Sequence, residues 1–449
     1  MITVPEPSLA TILAIPQSQW WAILQDWWWL FLIVDVFWIG KVFLYFWYEW
    51  RKEVFDAKEN EPRVLLEIKI PEEVLEPVKA METVITGFWQ IWKDPNWFEK
   101  WWEGEDPIAF TLEIASIDGI PHFYARMPAR VRPIFETHIY SQYPQAEISP
   151  AEDYTKNVPQ DIPNNKWDMW GTEYKNLKPW AYPIKTYTEF EEGTEKEEKR
   201  IDPIASLLEG MARLKPGEQL WVQLRCLPVL APYVTWVPAG KKLRDKLAYR
   251  QDSEYKPKPF IQEIFNFILT GKLSEPPKKE AETPMPLEMK LTPGERLILM
   301  GIERKISKLG FLCNLKYIYL GKREVFFSPN NRLAMSYFTN FVTDNMNALV
   351  PSSETITKIK KNWYDWFYFA KQRTFVRKRR LFRAYVQRTW VGYPNPCVKS
   401  PDEEGRRFIL TAEEIASLYH FPGKIVASAP ALARVETKKG EAPSGLPVE

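Results

Sequence analysis

The sequence predicts an α+β protein, in which an N-terminal transmembrane helix precedes two tandem βαββαβ units and C-terminal helices. Three observations support this class. A long apolar segment lies near the N-terminus, alternating apolar and polar residues recur from residue 63 onwards, and the intervening segments repeat apolar residues every three or four positions. The predicted parts are an N-terminal anchor in 1–60, domains in 61–156 and 157–350, a basic aromatic helix in 351–400, and a C-terminal helix and tail in 401–449.

The apolar segment WWWLFLIVDVFWIGKVFLYFWYEW runs from Trp27 to Trp50. As a helix of about 24 residues it would cross a hydrocarbon core of about 30 Å, with Trp at both interfaces. Asp35 and Lys41 interrupt it at a cost of about 5–7 kcal/mol, against a gain of about 4–7 kcal/mol from its Leu, Ile, Phe and Val residues. Because a lone helix would insert only marginally, we expect Asp35 and Lys41 to make intramembrane contacts with other helices and the chain to form homo-oligomers.

Basic residues follow this segment in RKEVFDAKENEPR, and none precedes it. The positive-inside rule then predicts a single-pass protein of the inner (cytoplasmic) membrane, with residues 51–449 in the cytoplasm. A helix lying in the membrane interface is the alternative.

The first βαββαβ unit is predicted from five consecutive stretches. RVLLEIKIP alternates as a strand, EPVKAMETVITGFWQIW has helical spacing, and AFTLEIASIDGIPHFYARMP contains two strands joined by a hairpin at Asp118-Gly119. RVRPIFETHIYSQYP then has helical spacing and QAEISPAEDY reads as a strand. This order is that of a ferredoxin-like sandwich.

A second unit repeats the order less regularly. AYPIKTYTEF predicts a strand, a helix is expected from Asp202, and LWVQLRCLPV predicts the next strand. Residues 229–290 are rich in Pro and Lys and are predicted to be an insertion. A capping box formed by Thr292 and Glu295 then opens another helix before the strand FLCNLKYIYLG. We therefore expect two tandem ferredoxin-like domains.

The segment FWQIWKDPNWFEKWWEG, residues 88–104, contains five Trp between the first predicted helix and the hairpin. Two interpretations remain open. The segment could rest the domain on a bilayer interface, or it could be an insert that packs against the domain itself.

Composition and motifs limit the chemistry that the chain could perform. The formal net charge is +2, and three distant Cys without a CxxC pair indicate a reducing compartment and no disulfide framework. The chain lacks phosphate-binding GxxxxGK[ST] and GxGxxG loops, and it lacks the hydrolase and metal motifs GxSxG and HExxH. We therefore predict no enzyme, no catalytic residue, no metal and no cofactor. His420 is expected to be a cap or packing residue near a helix C-terminus.

An aromatic helix in residues 361–390 becomes strongly basic and carries no acidic residue from Lys371 to Arg388. Such a run suits DNA phosphates, anionic lipid headgroups or an acidic protein, and it is also typical of a plain solvated helix face. The candidate contact residues are Lys371, Arg373, Arg377, Lys378, Arg379, Arg380, Arg383 and Arg388.

Several stretches together resemble a family of bacterial membrane-anchored proteins that accompany, or are fused to, type IV secretion ATPases of the coupling-protein and HerA-like kind. The stretches are LLEIKIPEE, FTLEIASIDGIPHFYARMP, IYSQYPQAEISPAEDY, DPIASLLEGMARLKPGEQLWVQL and ILTAEEIASLYHFPG. The likeness is one of pattern and contains no catalytic motif. In fused members the last stretch leads into the ATPase core, so the resemblance implies a separately encoded hexameric P-loop ATPase as partner.

The expected function is a non-catalytic, membrane-anchored structural subunit of a type IV secretion-like DNA or protein translocation machine, forming a cytoplasmic platform for that ATPase. The alternative is a membrane-associated scaffold or anionic-lipid-binding protein unrelated to secretion. A capping box of Thr411 and Glu414 predicts a helix over residues 412–420. The side chains expected to dock the partner are Ile415, Leu418, Tyr419 and Phe421.

Overall fold

The chain divides into two compact units in the computed structural model. The first contains helix α1 (Gln17–Phe55) and the Trp-rich residues 95–105, and the second contains a large β-sheet with its helices. The structure describes residues 17–55, 62–71, 76–93, 95–105, 107–191, 202–230, 236–248, 291–359, 369–391 and 405–423.

The sheet unit alternates strands and helices along the chain. Its strands are β1 (Arg63–Lys69), β2 (Phe110–Ile117), β3 (Ile120–Pro128), β4 (Glu147–Pro150), β5 (Trp167–Asn176), β6 (Glu218–Val229), β7 (Gly310–Lys322), β8 (Leu349–Pro351) and β9 (Phe408–Thr411). Its helices are α2 (Val78–Phe88), α3 (Arg132–Gln142), α4 (Tyr187–Glu191), α5 (Ala205–Ala212), α6 (Trp236–Leu247), α7 (Pro293–Ile306), α8 (Arg332–Thr339), α9 (Phe369–Val386) and α10 (Ala412–Leu418).

All nine strands belong to one antiparallel sheet with the order β4-β1-β3-β2-β6-β7-β5-β8, and β9 pairs with β7. The prediction of two tandem ferredoxin-like domains is therefore wrong. The physical reason is that β2 pairs with β6 along its whole length, from Phe110 opposite Cys226 to Ile117 opposite Gln219. The edges that would have bounded two separate sheets instead hydrogen-bond to each other and give one continuous sheet.

Each face of this sheet is covered by different helices. Helices α2, α3, α5, α8 and α10 bury their apolar residues on the first face, and α9 covers the second. Strand alternation divides the side chains between the two faces: Ala125 and Met127 enter the first core, whereas Tyr124 enters the second. The sheet is thus buried on both sides where α9 lies.

Among the residues that the structure describes, no helix combines the length and the apolar character needed to cross a membrane. The prediction of a single-pass inner-membrane protein, with residues 51–449 on the cytoplasmic side, is therefore wrong. Helix α1 has 39 residues, so its length is sufficient. Asp35 and Lys41 oppose its insertion, because a charged side chain is costly within a hydrocarbon core.

The structure confirms the predictions that depend on a few neighbouring residues. Asp118 and Gly119 form the predicted hairpin with φ values of 51° and 86°, which suits a tight turn between twisted strands. Both capping boxes are present, with Thr292 and Thr411 as the capping residues of α7 and α10. Helix α6 lies inside the predicted insertion 229–290, and 231–235 and 249–290 lie outside the described residues.

Candidate functional site

Helix α9 carries most of the predicted basic cluster and packs on the second face of the sheet. Its apolar side chains Leu381, Phe382 and Tyr385 are buried, because their spacing puts them on one side of the helix. Gly171 of β5 lets the helix approach closely, since a Cβ atom there would lie 2.9 Å from Leu381 Cδ2. The basic side chains must therefore occupy the flanks and the outer side of α9.

Arg388, two residues beyond the end of α9, is a buried anchor. Its Nε donates to Glu113 Oε1 at 3.0 Å, while Nη1 and Nη2 donate to Asp153 at 2.5 and 2.9 Å. Arg388 has a φ of 55°, a left-handed conformation that an L residue adopts at a cost of about 1–2 kcal/mol. The charged contacts hold the end of α9 in this conformation.

The carboxylate of Glu113 is saturated by donors. Tyr154 Oη donates to Oε2 at 2.6 Å, and Thr111 Oγ1 and Gln223 Nε2 donate to Oε1 at 2.8 and 2.9 Å. Burial raises the pKa of Glu113, but the charge and hydrogen bonds of Arg388 more than offset it and leave the pKa below its ordinary value. Glu113 is therefore an ionised structural group with no contact to solvent.

Glu113 belongs to a polar row that crosses four strands. Strand register places Gln223 opposite Glu113, Lys316 opposite Gln223, and Glu173 opposite Lys316. All four side chains are fully buried under α9 and the segment that follows it. Burial lowers the pKa of Lys316 to about 8, and its ammonium donates to the carbonyls of Ala384 and Thr389.

A second buried ion pair ties Val391 and Arg406 to the same row. Arg406 Nη1 donates to Glu173 Oε2 at 2.6 Å and to the carbonyl of Val391 at 3.0 Å. The backbone N–H of Val391 in turn donates to Glu173 Oε1 at 3.0 Å. Because this network is closed to solvent, it positions α9 rather than presenting groups to a substrate.

The eight predicted contact residues separate into two sets. Arg388 is buried, Lys378 Nζ bonds Asp168 at 2.6 Å, and Arg377 donates to the carbonyls of Ser353 and Ile356. Arg373 is partly buried. The exposed cations are Lys371, Arg379, Arg380 and Arg383.

The exposed set forms one basic surface, with Arg379, Arg380 and Arg383 on the outer side of α9 and Lys371 on the flank that carries Lys378. It spans the 13 residues from Lys371 to Arg383, which is about 18 Å at a rise of about 1.5 Å per residue. Arg379, Arg380 and Arg383 lie within about one turn, and the guanidinium of Arg379 stacks 5.7 Å from the ring centre of exposed Phe375. Lys371 and Phe375 also border a cavity of about 300 Å³ that reaches the Lys378–Asp168 pair.

The residues predicted to make intramembrane contacts are both exposed on α1. They lie among large apolar side chains that are also exposed, such as Phe37 and Trp38. In the same unit, Trp101 packs on Tyr48 with ring centres 4.9 Å apart, whereas Trp97 and Trp102 project into solvent. The predicted contacts of Asp35 and Lys41 with other helices stay a prediction.

The four side chains expected to dock a partner lie instead in the core of this chain. Ile415, Leu418, Tyr419 and Phe421 are buried on the first face of the sheet. The rings of Phe421 and Phe123 are 5.5 Å apart, for example. Apolar spacing on a short helix is the same whether the helix packs inward or binds a partner, so the sequence did not separate the two cases.

His420 is a packing residue within this C-terminal region, as its sequence position suggested. Its Nδ1 lies 2.9 Å from the carbonyl of Ala416 and its Nε2 lies 2.8 Å from Asp202 Oδ1. Hydrogen bonding and the charge of His420 help to lower the pKa of Asp202, although burial acts in the opposite direction. The rest of the tail, 424–449, lies outside the described residues.

Sequence reasoning missed the acidic and polar residues beneath α9. Along their strands, Glu113 and Lys316 alternate with apolar residues. Such alternation is typical of a strand that turns one side towards solvent. Nothing in that pattern shows that α9 and the residues after it cover these side chains, although Arg388 bonds Glu113 from 275 residues further along the chain. Within the described part of the chain, no cluster of His, Cys, Asp and Glu side chains is arranged to hold a metal ion.

Comparison with known proteins adds nothing to these observations. The chain matches no protein-family model, no curated protein and no solved structure.

Proposed function

We propose that this protein is a non-catalytic structural subunit that holds a basic helix against nucleic-acid phosphates, within a type IV secretion-like translocation machine. The observation that carries the proposal is the basic surface of α9. Four exposed cations stand on a helix whose inner side and C-terminal end are fixed by buried contacts. No acidic residue lies between Lys371 and Arg388 to neutralise them.

The fixed position of α9 favours binding over a merely solvated charge run. A helix that is already ordered loses little conformational freedom when it binds, so more of the interaction energy appears as affinity. Arg379, Arg380 and Arg383 present planar guanidinium groups, which bind phosphate oxygens in pairs of hydrogen bonds. Lipid headgroups carry the same phosphate chemistry and are the competing partner in the test below.

Binding to a short DNA duplex, followed by fluorescence anisotropy at several salt concentrations, tests this proposal. If the four cations each neutralise one phosphate, the association constant should fall about 150-fold between about 50 and about 200 mM salt. Replacing Arg379, Arg380 and Arg383 by Gln leaves one contact, so the fall should shrink to about 3.5-fold. A matched control replaces Lys79, Arg130 and Arg332, which are exposed cations on or beside first-face helices.

Equal affinity and equal salt dependence of the two triple variants would refute the assignment to α9. Preferential binding of wild-type protein to anionic lipid vesicles over DNA would replace nucleic acid by lipid as the partner. The control triple should keep the wild-type salt dependence, because its residues lie away from the basic surface.

The assignment to a secretion-like machine with a separate ATPase rests on the five stretches that resemble the family associated with type IV secretion ATPases. Their residues fall in β1, β2–β3, α3–β4, α5–β6 and β9–α10, so all five belong to the sheet unit. In this proposal the sheet unit is the platform on which a separate hexameric P-loop ATPase assembles. Purification of the full chain from its own cells tests this part, and a complex that contains no P-loop ATPase would count against it.

A second candidate role, self-assembly, is favoured by the exposed apolar surface of α1. Large contiguous apolar surfaces mark interaction sites. Asp35 and Lys41 add opposite charges to this surface, so a second copy of the chain can supply each charge with its complement. Sedimentation should show oligomers that are weakened by Asp35→Lys and restored by Asp35→Lys with Lys41→Asp, and a monomeric wild-type chain would refute this role.

A further inference from the structure

A cavity of about 540 Å³ opens on the second face of the sheet, near the edge formed by β4 and β1. Arg63 and Leu65 of β1 and Arg126 of β3 line one side. The segment after β4 lines the other side, with Asp153 and Lys156 among its residues. The volume is in the range of small-molecule sites, which is about 300–1,000 Å³.

Arg126 is the unusual group in this cavity. Among the residues that the structure describes, its side chain makes no hydrogen bond or ion pair, although it is partly buried in the wall of the cavity. Burial, with the neighbouring charges of Arg388 and Arg63, lowers the pKa of Arg126 to about 10, so the guanidinium still carries its charge near neutral pH. A partly buried cation without a paired carboxylate is stabilised when a bound anion neutralises it.

The carboxylates near Arg126 are already committed to other donors. Asp153 accepts hydrogen bonds from both terminal nitrogens of Arg388. Its Oδ1 also accepts hydrogen bonds from the backbone N–H and the hydroxyl of Thr155. Glu113 is saturated by the donors described above. The exposed Glu152 on the rim is the remaining carboxylate of the lining, against the cations Arg63, Arg126 and Lys156.

We infer that this cavity binds the phosphoryl group of a small phosphorylated metabolite, with Arg126 as the central ligand. With Asp153 neutralised by Arg388, Arg126 and Lys156 face the single exposed carboxylate of Glu152, so the lining attracts an anion. A phosphate monoester carries about −1.5 to −2 at pH 7. A phosphoryl group alone leaves most of the cavity open, so an organic portion of sugar size also fits. This site is separate from the outer surface of α9 and does not depend on nucleic-acid binding.

The wall of the cavity is preorganised for such a ligand. Asp153 caps the short helical turn Tyr154–Asn157, and the backbone N–H of Ala151 donates to the carbonyl of Leu65 at 2.8 Å. Arg388 fixes Asp153 in turn. Binding therefore requires no rearrangement of the backbone around Arg126.

Isothermal titration calorimetry of the full chain with inorganic phosphate, ribose 5-phosphate, ribose and malonate tests the inference. We expect both phosphoryl compounds to bind, and ribose and malonate to bind much more weakly. Arg126→Gln should weaken phosphoryl binding about 10- to 100-fold, since it removes hydrogen bonds to a charged group. Arg130→Gln, an exposed cation outside the lining of the cavity, should leave binding unchanged.

Two further measurements keep the test decisive. Thermal melting without ligand should show Arg126→Gln at least as stable as wild type, because the substitution relieves repulsion from Arg63 and Arg388. Lys156→Gln, an exposed rim change, should weaken binding by a smaller factor. Tighter binding of ribose 5-phosphate than of phosphate would identify the monoester as the ligand class, and equal binding would identify the free ion.

The inference is overturned if no phosphoryl compound binds at millimolar concentration, or if Arg126→Gln binds as wild type does. Malonate binding as tight as phosphate binding would also overturn it, because the site would then select carboxylates. The Arg379, Arg380 and Arg383 triple variant should keep phosphoryl binding, which separates this site from the surface proposed for nucleic acid.

Discussion

Arg388→Met removes the cation that neutralises Glu113 while keeping an aliphatic side chain of similar length. Glu113 is fully buried and the side chain of Arg388 is 3 % exposed, so solvent cannot replace the lost partner. Breaking a buried ion pair from one side typically destabilises a protein by about 3–5 kcal/mol. We expect a loss of this size in the free energy of unfolding of the sheet unit at about pH 7.

The pH dependence of this loss follows from the pKa of Glu113. In wild type the pKa in the folded state is lowered, so Glu113 stabilises the fold above its ordinary pKa of 4.5 and this contribution disappears as the pH falls. In the variant, burial without the cation raises the folded pKa. The contribution of Glu113 to the stability of the variant is then fully present below its ordinary pKa and is lost as the pH rises. The stability deficit of the variant relative to wild type should therefore be largest at neutral pH and smallest below about pH 4.

Urea unfolding followed by near-ultraviolet circular dichroism, at about pH 7 and about pH 4, measures both effects. Arg383→Met, an exposed change on α9, is the control and should alter stability by at most about 0.5 kcal/mol. Adding Glu113→Gln to Arg388→Met should restore part of the loss, because no buried charge then remains unpaired. A deficit below about 1 kcal/mol, or one that does not shrink in acid, would refute the reasoning.

Two further substitutions test the packing that supports the site. Glu414→Gln should destabilise the fold by about 3–5 kcal/mol in urea unfolding. The reason is that the buried Lys305 ammonium, 3.0 Å from Glu414 Oε1, then lacks a counter-charge. The control is Glu295→Gln, in the more exposed capping box of α7, which should cost at most about 1 kcal/mol. Gly171→Ala should cost about 1–3 kcal/mol, since its Cβ would lie 2.5 Å from a backbone carbonyl of β7. Gly294→Ala, with nothing within 4 Å, should not destabilise the fold, and equal melting temperatures for the two alanine variants would contradict this account.

Local structure followed from the sequence because its causes are local. The Asp118-Gly119 turn and the capping boxes at Thr292 and Thr411 depend on a few neighbouring residues, and all three are present. The stretch AYPIKTYTEF was predicted as a strand, but its second half is helix α4 and the strand is β5, earlier in the chain. Short apolar runs do not separate strand from helix when tertiary packing decides.

The candidate site was predictable only in part. A run of eight cations from Lys371 to Arg388 is visible in the sequence, and so is the absence of acidic residues among them. The sequence does not show that Arg388 and Lys378 neutralise carboxylates of distant strands whereas Arg379 and Arg383 face solvent. That division arises from contacts across more than 200 residues.

By itself, the sequence determined the class of secondary structure, the tight turn, the helix caps and the position of the basic helix, since these depend on spacing and on residues close in the chain. Only the tertiary structure decided that the strands join in one sheet, that Ile415 and Tyr419 belong to the core, and which cations remain exposed. Strand pairing and burial are set by partners far away in sequence, and the free energy of placing a charge depends on what covers it. The polar row beneath α9 and the uncompensated Arg126 therefore emerge only once the chain is folded.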